Sequence, residues 1–209
     1  MEFKTVQEKV CYGMGRRIAQ DFASQKFEGF SAEAMIQGLA DGLAGRELAV
    51  PGKELSAAFD EFNRLMTRKQ AEASEKSRKE GLAYQESNRS RPGVTVTSSG
   101  LQYEVLKDGD GDIPGPKDVV RVKYKGTFIN GEIFDSTDKN GHGDGIEFPV
   151  NGVIAGWTEA LQLMRTGSIW KLVIPSELAY GESGAGSIPP GSTLVFEVEL
   201  LAIAMKSKE

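Results

Sequence analysis

The spacing of apolar residues changes once along the chain, from about four to two, at Arg91-Pro92-Gly93. Helices repeat their faces every 3.6 residues and strands every two, so the two halves must be built differently. Before the change, Val6, Val10, Met14, Ile18 and Phe22 recur every four residues and predict a helix over about residues 4–25. A second helix is expected from Ser31, a good N-cap, with Phe30 and Met35 placed as a hydrophobic staple. Its stripe is Met35, Leu39 and Leu43, and Gly45 supplies a stop. Gly38 and Gly42 share a face, and two interior glycines are costly unless another backbone packs there. From Pro51 to about Ser90 the only turn signal is Gly81, which predicts one long helix over about 51–90, roughly 55–60 Å in length. Beyond Thr67 its residues are mostly charged or small, so this stretch is expected to run through solvent and bridge two bodies. Three helices with so thin a core predict a partner, and a second copy of the chain through residues 1–50 is the expected one.

After the change, Val94-Thr95-Val96-Thr97, residues 101–106, residues 120–124, residues 169–174 and residues 194–200 alternate like strands. Asn130-Gly131 is a hairpin signal, and one short helix is expected over 156–164. The fold class is therefore α+β. A helical domain over residues 1–92 precedes residues 93–209, an antiparallel sheet of about five or six strands curled around one helix.

Several constellations mimic catalytic motifs and fail. Gly181-Glu182-Ser183-Gly184-Ala185-Gly186 starts like a phosphate loop, but Ser187 and Ile188 stand where Lys and Ser/Thr are required, and Pro189-Pro190 would break the following helix. Ala185 occupies the last glycine of a would-be nucleophile elbow, and His142 is the only histidine. Asp108-Gly109-Asp110-Gly111-Asp112 opens like a calcium loop, yet Ile113 and Val119 replace its glycine and its final glutamate. His142 and Cys11 make no zinc set. No metal or cofactor is expected. A net charge of -5 argues against nucleic acid as a partner, and no run of residues approaches a membrane span. The single cysteine and the charges interrupting the first twenty residues lead to an expectation of cytoplasm, with periplasm only if Met1 is not the native start.

What survives is a set of aromatic and branched residues near predicted turns: Tyr124, Phe134, Phe148, Val153, Ile154, Trp157, Tyr180, Ile188 and Phe196. Each alone reads more readily as core than as site. Their order matters more. Tyr124-x-Gly126, Gly131-x-x-Phe134-Asp135-Ser136, Val153-Ile154-x-Gly156-Trp157, Leu178-Ala179-Tyr180-Gly181, Ile188-Pro189-Pro190 and the run from Leu194 to Leu201 follow one another along residues 94–204. This sequence of blocks closely resembles the FKBP family of peptidyl-prolyl cis-trans isomerases. The helical half with its long helix resembles, less specifically, the two-domain dimeric Mip-like bacterial kind.

The resemblance implies a half-wrapped sheet with a pocket between sheet and helix, and X-Pro isomerisation during protein folding. It implies catalytic roles for Trp157 as floor, for Tyr124, Phe134 and Phe196 as walls, for Tyr180 as a hydroxyl donor and for Asp135 at the rim. Phe148, Val153 and Ile154 would line the substrate site, Ile188 would lie on the loop closing over proline, and Ile146 falls near a wall position that is aromatic in some relatives. The loop Gly181–Ile188 is short and lacks the histidine of some members, which bears on substrate preference. Unfolded proline-containing proteins and macrolides of the tacrolimus and rapamycin kind are the implied ligands, with client holding by the dimer. A non-catalytic peptide-binding or chaperone module is the alternative. A degenerate domain would be expected to lose the tyrosine, tryptophan or aspartate, and Tyr180, Trp157 and Asp135 are all present.

Overall fold

The computed structural model describes residues 2–23 and 27–207, without the side chains of residues 21–23. The chain falls into two compact units, Met1–Glu61 and Phe62–Glu209.

The first unit contains α1 (Val6–Ala23), α2 (Ala32–Leu43) and the start of α3 (Gly52–Arg89). Ser31 caps α2 as its composition demands, its side chain accepting from the Ala34 N–H at 3.1 Å. Gly45 takes a left-handed φ of 62° just past the end of that helix. The α1 stripe is exposed at Val6, Val10, Met14 and Ile18. Phe22, its last member, lies outside the described side chains, as do residues 24 and 25 at the predicted end of the helix. No residue of α2 is buried, and Leu43 is 83% exposed.

The second unit is built on seven antiparallel strands. They are β1 (Val94–Val96), β2 (Gln102–Lys107), β3 (Val119–Phe128), β4 (Ile133–Ser136), β5 (Ile146–Pro149), β6 (Ile169–Ile174) and β7 (Leu194–Met205). Their order is β1-β2-β6-β7-β3-β4, with β5 pairing the first half of β3. β4 and β5 are the strands that alternation does not reveal, since each is only four residues long. The Asn130-Gly131 turn forms as expected, with Gly131 at φ 88°. The one helix after β1, α4 (Ala155–Leu161), lies against the sheet. Gly156 explains how closely: a Cβ there would come within 2.5 Å of the Ile174 side chain. Leu101, Val120, Val122, Leu161, Met164, Leu172, Ile174, Leu194 and Leu200 are almost wholly removed from water in this core. Each such side chain contributes on the order of 2 kcal/mol by burial.

The second half of α3 departs from the solvated bridge that its charges suggest. Ser74, Gly81 and Asn88, seven residues apart, are buried. A spacing of seven returns to one helix face, so small and amide residues form a narrow seam among the charged ones. Asn88 Nδ2 donates to Gln102 Oε1 at 2.8 Å, and Gln102 Nε2 donates to the Gln85 carbonyl at 3.0 Å. Gln102 is the cross-strand partner of Val173, and Val173 of Val195. Both valines are buried although they stand outside the main core cluster. Cross-strand partners share a sheet face, so α3 covers the face of the sheet that the core does not use.

Candidate active site

The candidate site begins at the entry to α4. A 3₁₀ turn at Val150–Gly152 leads into extended Val153 and Ile154. The Thr158 hydroxyl donates to the Val150 carbonyl at 2.7 Å, and the Trp157 N–H donates to the Ile154 carbonyl at 2.9 Å. These bonds set the first helical turn, and with it the indole of Trp157, which is 4% exposed. Tyr124 from β3 meets that indole edge-on at 5.2 Å, Phe196 from β7 at 5.4 Å and Phe148 from β5 at 6.1 Å. Phe134 from β4 stands edge-on to Phe196 at 5.5 Å. Edge-to-face rings at these separations attract beyond their simple area. Gly126 makes room for two of these rings, because a Cβ there would lie 2.6 Å from Phe134 and 2.8 Å from Phe196.

Together with Asp135, Gly152, Val153, Ile154 and Tyr180, these rings line a cavity of about 440 Å³. Its polar groups are few. The Tyr124 hydroxyl donates to Asp135 Oδ2 at 2.7 Å, and Asn140 Nδ2 donates to Asp135 Oδ1 at 2.7 Å. Both carboxylate oxygens are thus engaged. Burial raises the Tyr124 phenol far above its ordinary value, and the bond to the Asp135 carboxylate adds to that. Burial also raises Tyr180, with the Asp135 charge acting in the same direction. Both hydroxyls therefore keep their protons throughout the neutral range.

Nine of the eleven residues singled out in the sequence come together here. Ile188 and Ile146 do not. Ile188 is 8% exposed and belongs to the core cluster, because the short loop closes on itself through a bridge between Ala185 and Ile188 and tucks the side chain inward. Ile146 pairs with Val122 in β5 and packs against the core, away from the cavity lining. Gly152 and Asn140 were missed. Gly152 follows Pro149 in a turn, and nothing in its type announces a wall. Asn140 lies five residues beyond Asp135, and only the folding of that loop brings its amide back.

Similar known proteins place the chain in a family. The family model for the FKBP-type peptidyl-prolyl cis-trans isomerase matches residues 111–201. The model for the domain amino-terminal to such isomerases matches residues 7–105. The FKBP-type 22 kDa peptidyl-prolyl cis-trans isomerase of Escherichia coli is 46% identical over 96% of this chain and 97% of its own length.

This chain belongs to the FKBP-type peptidyl-prolyl isomerases.

It is accordingly an enzyme that accelerates cis/trans isomerisation of X-Pro peptide bonds. The crystal structure of FkpA from Escherichia coli matches 99% of this chain and 100% of that one, with a TM-score of 0.69 and 33% identity. The α+β architecture with an N-terminal helical domain is thereby shared over the whole chain. The expectation of a cytoplasmic location is overturned. A relative from Legionella longbeachae, 37% identical over 95% of this chain and 86% of its own length, is named outer membrane protein MIP. One cysteine and a charged first segment do not fix a compartment. Among the described residues no helix is long and apolar enough to cross a membrane.

Proposed function

We propose that this cup of rings is where the isomerase turns its substrate, with the proline ring seated on Trp157 between Tyr124, Phe134 and Phe196. Phe148, Val153 and Ile154 line the remaining sides, the Ile154 N–H meets a substrate carbonyl, and the Tyr180 hydroxyl bonds near the twisting imide. The observation that carries this reading is the composition of the lining: six aromatic side chains beside one carboxylate whose two oxygens are already bound. Amide resonance imposes a barrier of about 18–20 kcal/mol on rotation. Rotation breaks no bond and moves no proton. The planar imide is more polar than the twisted one, so an apolar site that favours the twisted form lowers the barrier, and each ~1.4 kcal/mol of that preference is tenfold in rate. Macrolides of the tacrolimus and rapamycin kind carry a pipecolyl ring that mimics proline and should occupy the same floor. Calorimetry should show one macrolide per chain, displaced by an X-Pro peptide. No binding by an enzyme that still turns over peptide would mean that the inward-folded loop at Ala185–Ile188 has reshaped the mouth.

The proposed division of labour places every lining residue in residues 93–209, after Pro92, and assembly and client holding in residues 1–92, of which the stretch from Phe62 belongs to the same compact unit as the site. Residues 1–50 are proposed to pair two copies. In support, Val6, Val10, Met14, Ile36 and Leu43 are at least half exposed, and a side chain at Gly38 or Gly42 would meet nothing within 4 Å. An apolar groove between α1 and α2, lined by Ile18, Phe30, Met35, Ile36 and Leu39, is open to receive a partner's helix. Leu39→Glu should convert the protein to a monomer in light scattering. A wild type that is already monomeric at micromolar concentration would end this part of the proposal.

A further inference from the structure

The seam on α3 grips both ends of one loop. That loop runs from Gly181 to Thr193 and follows Tyr180 directly. At its near end, the Ser74 hydroxyl donates to Glu182 Oε2, and Arg78 lies 3.7 Å from Glu182 Oε1. At its far end, Gln85 Nε2 donates to Thr193 Oγ1 at 2.8 Å. The two ends are tied to each other where the Gly191 N–H donates to the Gly181 carbonyl at 2.9 Å. Backbone meets backbone here. A Cβ at Gly191 would come within 2.7 Å of the Ser74 carbonyl oxygen, and one at Gly81 would collide with the Thr193 side chain. Gly81, the only turn signal within the long helix, makes no turn at all. It is the residue that lets the loop lie flat on α3.

We propose that the Ser74–Gly81–Asn88 face of α3 is a positioning element for the isomerase reaction, acting through Glu182 and Thr193 on the loop that sets the Tyr180 hydroxyl. The inference rests on the reading that Tyr180 bonds to the twisting substrate. Tyr180 is 39% exposed at the rim of the cavity. Its anchorage is the backbone that follows it: the Gly181 N–H donates to the Ser176 carbonyl at 2.8 Å, and Gly181 and Glu182 are held as described. A hydroxyl that must meet the transition state within a few tenths of an ångström loses effect when its loop shifts. Substrate binding, which depends on the rings beneath, is not affected by that shift. Glu182, Thr193, Ser74 and Gly81 are positioning residues and touch no substrate.

Gly81→Ala separates positioning from folding, because alanine favours the helix while its methyl wedges Thr193 away. In the full-length protein, with a short X-Pro peptide, Gly81→Ala and Glu182→Ala should each lower kcat about fivefold with KM nearly unchanged, the pattern of an interaction made only in the transition state. Glu182→Gln, which still accepts from Ser74, should recover most of the loss. Arg68→Ala, on the solvent side of α3, should leave kcat unaltered. Circular dichroism should show each variant folded at the assay temperature. In a Tyr180→Phe background the Gly81→Ala effect should disappear, because the group that the loop positions is gone. Wild-type kcat in Gly81→Ala and Glu182→Ala beside an impaired Tyr180→Phe would overturn this inference alone, as would losses that simply add in the double variant. A Tyr180→Phe enzyme at full activity would overturn the role of Tyr180 itself.

Discussion

Phe134→Ala should lower kcat/KM by about 2–3 kcal/mol, or roughly 30- to 150-fold, whereas Asp135→Ala should cost no more than about tenfold. The two residues are adjacent in β4 and line the same cavity, so the contrast tests chemistry rather than location. Phe134 stands 5.1 Å from Phe128 and 5.5 Å from Phe196, and it is half-buried, which places its removal at the lower end of core aromatic truncations. Removing it opens one wall to water, which weakens proline binding and solvates the planar imide that the site should disfavour. KM and kcat should therefore both suffer. Asp135 holds Tyr124 and Asn140 in place, and neither bond is broken or made during rotation. Its loss frees the Tyr124 hydroxyl and slackens one wall without deleting it.

The same account fixes the pH profile. Burial raises the Tyr124 and Tyr180 phenols above their ordinary value, so neither hydroxyl loses its proton across the neutral range. Wild-type kcat/KM should be nearly flat over that range. A steep profile that disappears in Asp135→Ala would make the carboxylate a general acid or base and would remove the desolvation mechanism.

The candidate site was readable because its residues are rare types in a fixed order, and because β3 and β7, which carry Tyr124 and Phe196, alternate locally. Tyr124, Phe134, Trp157 and Phe196 lie on four separate elements, yet cross-strand pairs such as Gly126 with Phe196 follow once β3 meets β7. The solvated reading of α3 failed on contacts that lie mostly far away in sequence. The α3 seam looked solvated because Ser74, Gly81 and Asn88 carry no apolar signal. Their burial depends on Glu182, Thr193 and Gln102, and Ser74 and Glu182 stand 108 residues apart. The resemblance placed Ile188 on the loop over the proline; here it is buried, at one end of a bridge to Ala185.

Trp157→Ala should have the largest effect of any single substitution in the site, and the difficulty is to separate its two causes. The indole belongs to the core cluster as well as to the cavity lining. Deleting it should cost about 3–5 kcal/mol of folding stability, a large share of the 5–15 kcal/mol typical of a domain. A drop in Tm of roughly 10 °C or more should follow. Trp157→Phe should be far milder, because a ring still meets Tyr124 and Phe196. It also removes an indole N–H that is buried without a hydrogen-bond partner among the described residues, so no bond is lost and an unsatisfied donor goes with it. Activity should then be measured at a temperature where circular dichroism shows both variants folded. If Trp157 were only core, each folded variant would turn over peptide like the wild type, and the alanine variant would fail only on heating. If Trp157 is the floor on which proline sits, folded Trp157→Ala should retain no more than about one hundredth of kcat/KM, while Trp157→Phe should keep about a tenth or more. Macrolide affinity should fall in the same order, since the pipecolyl ring uses the same floor. A folded alanine variant with near-normal turnover would remove Trp157 from the site and leave it as packing alone.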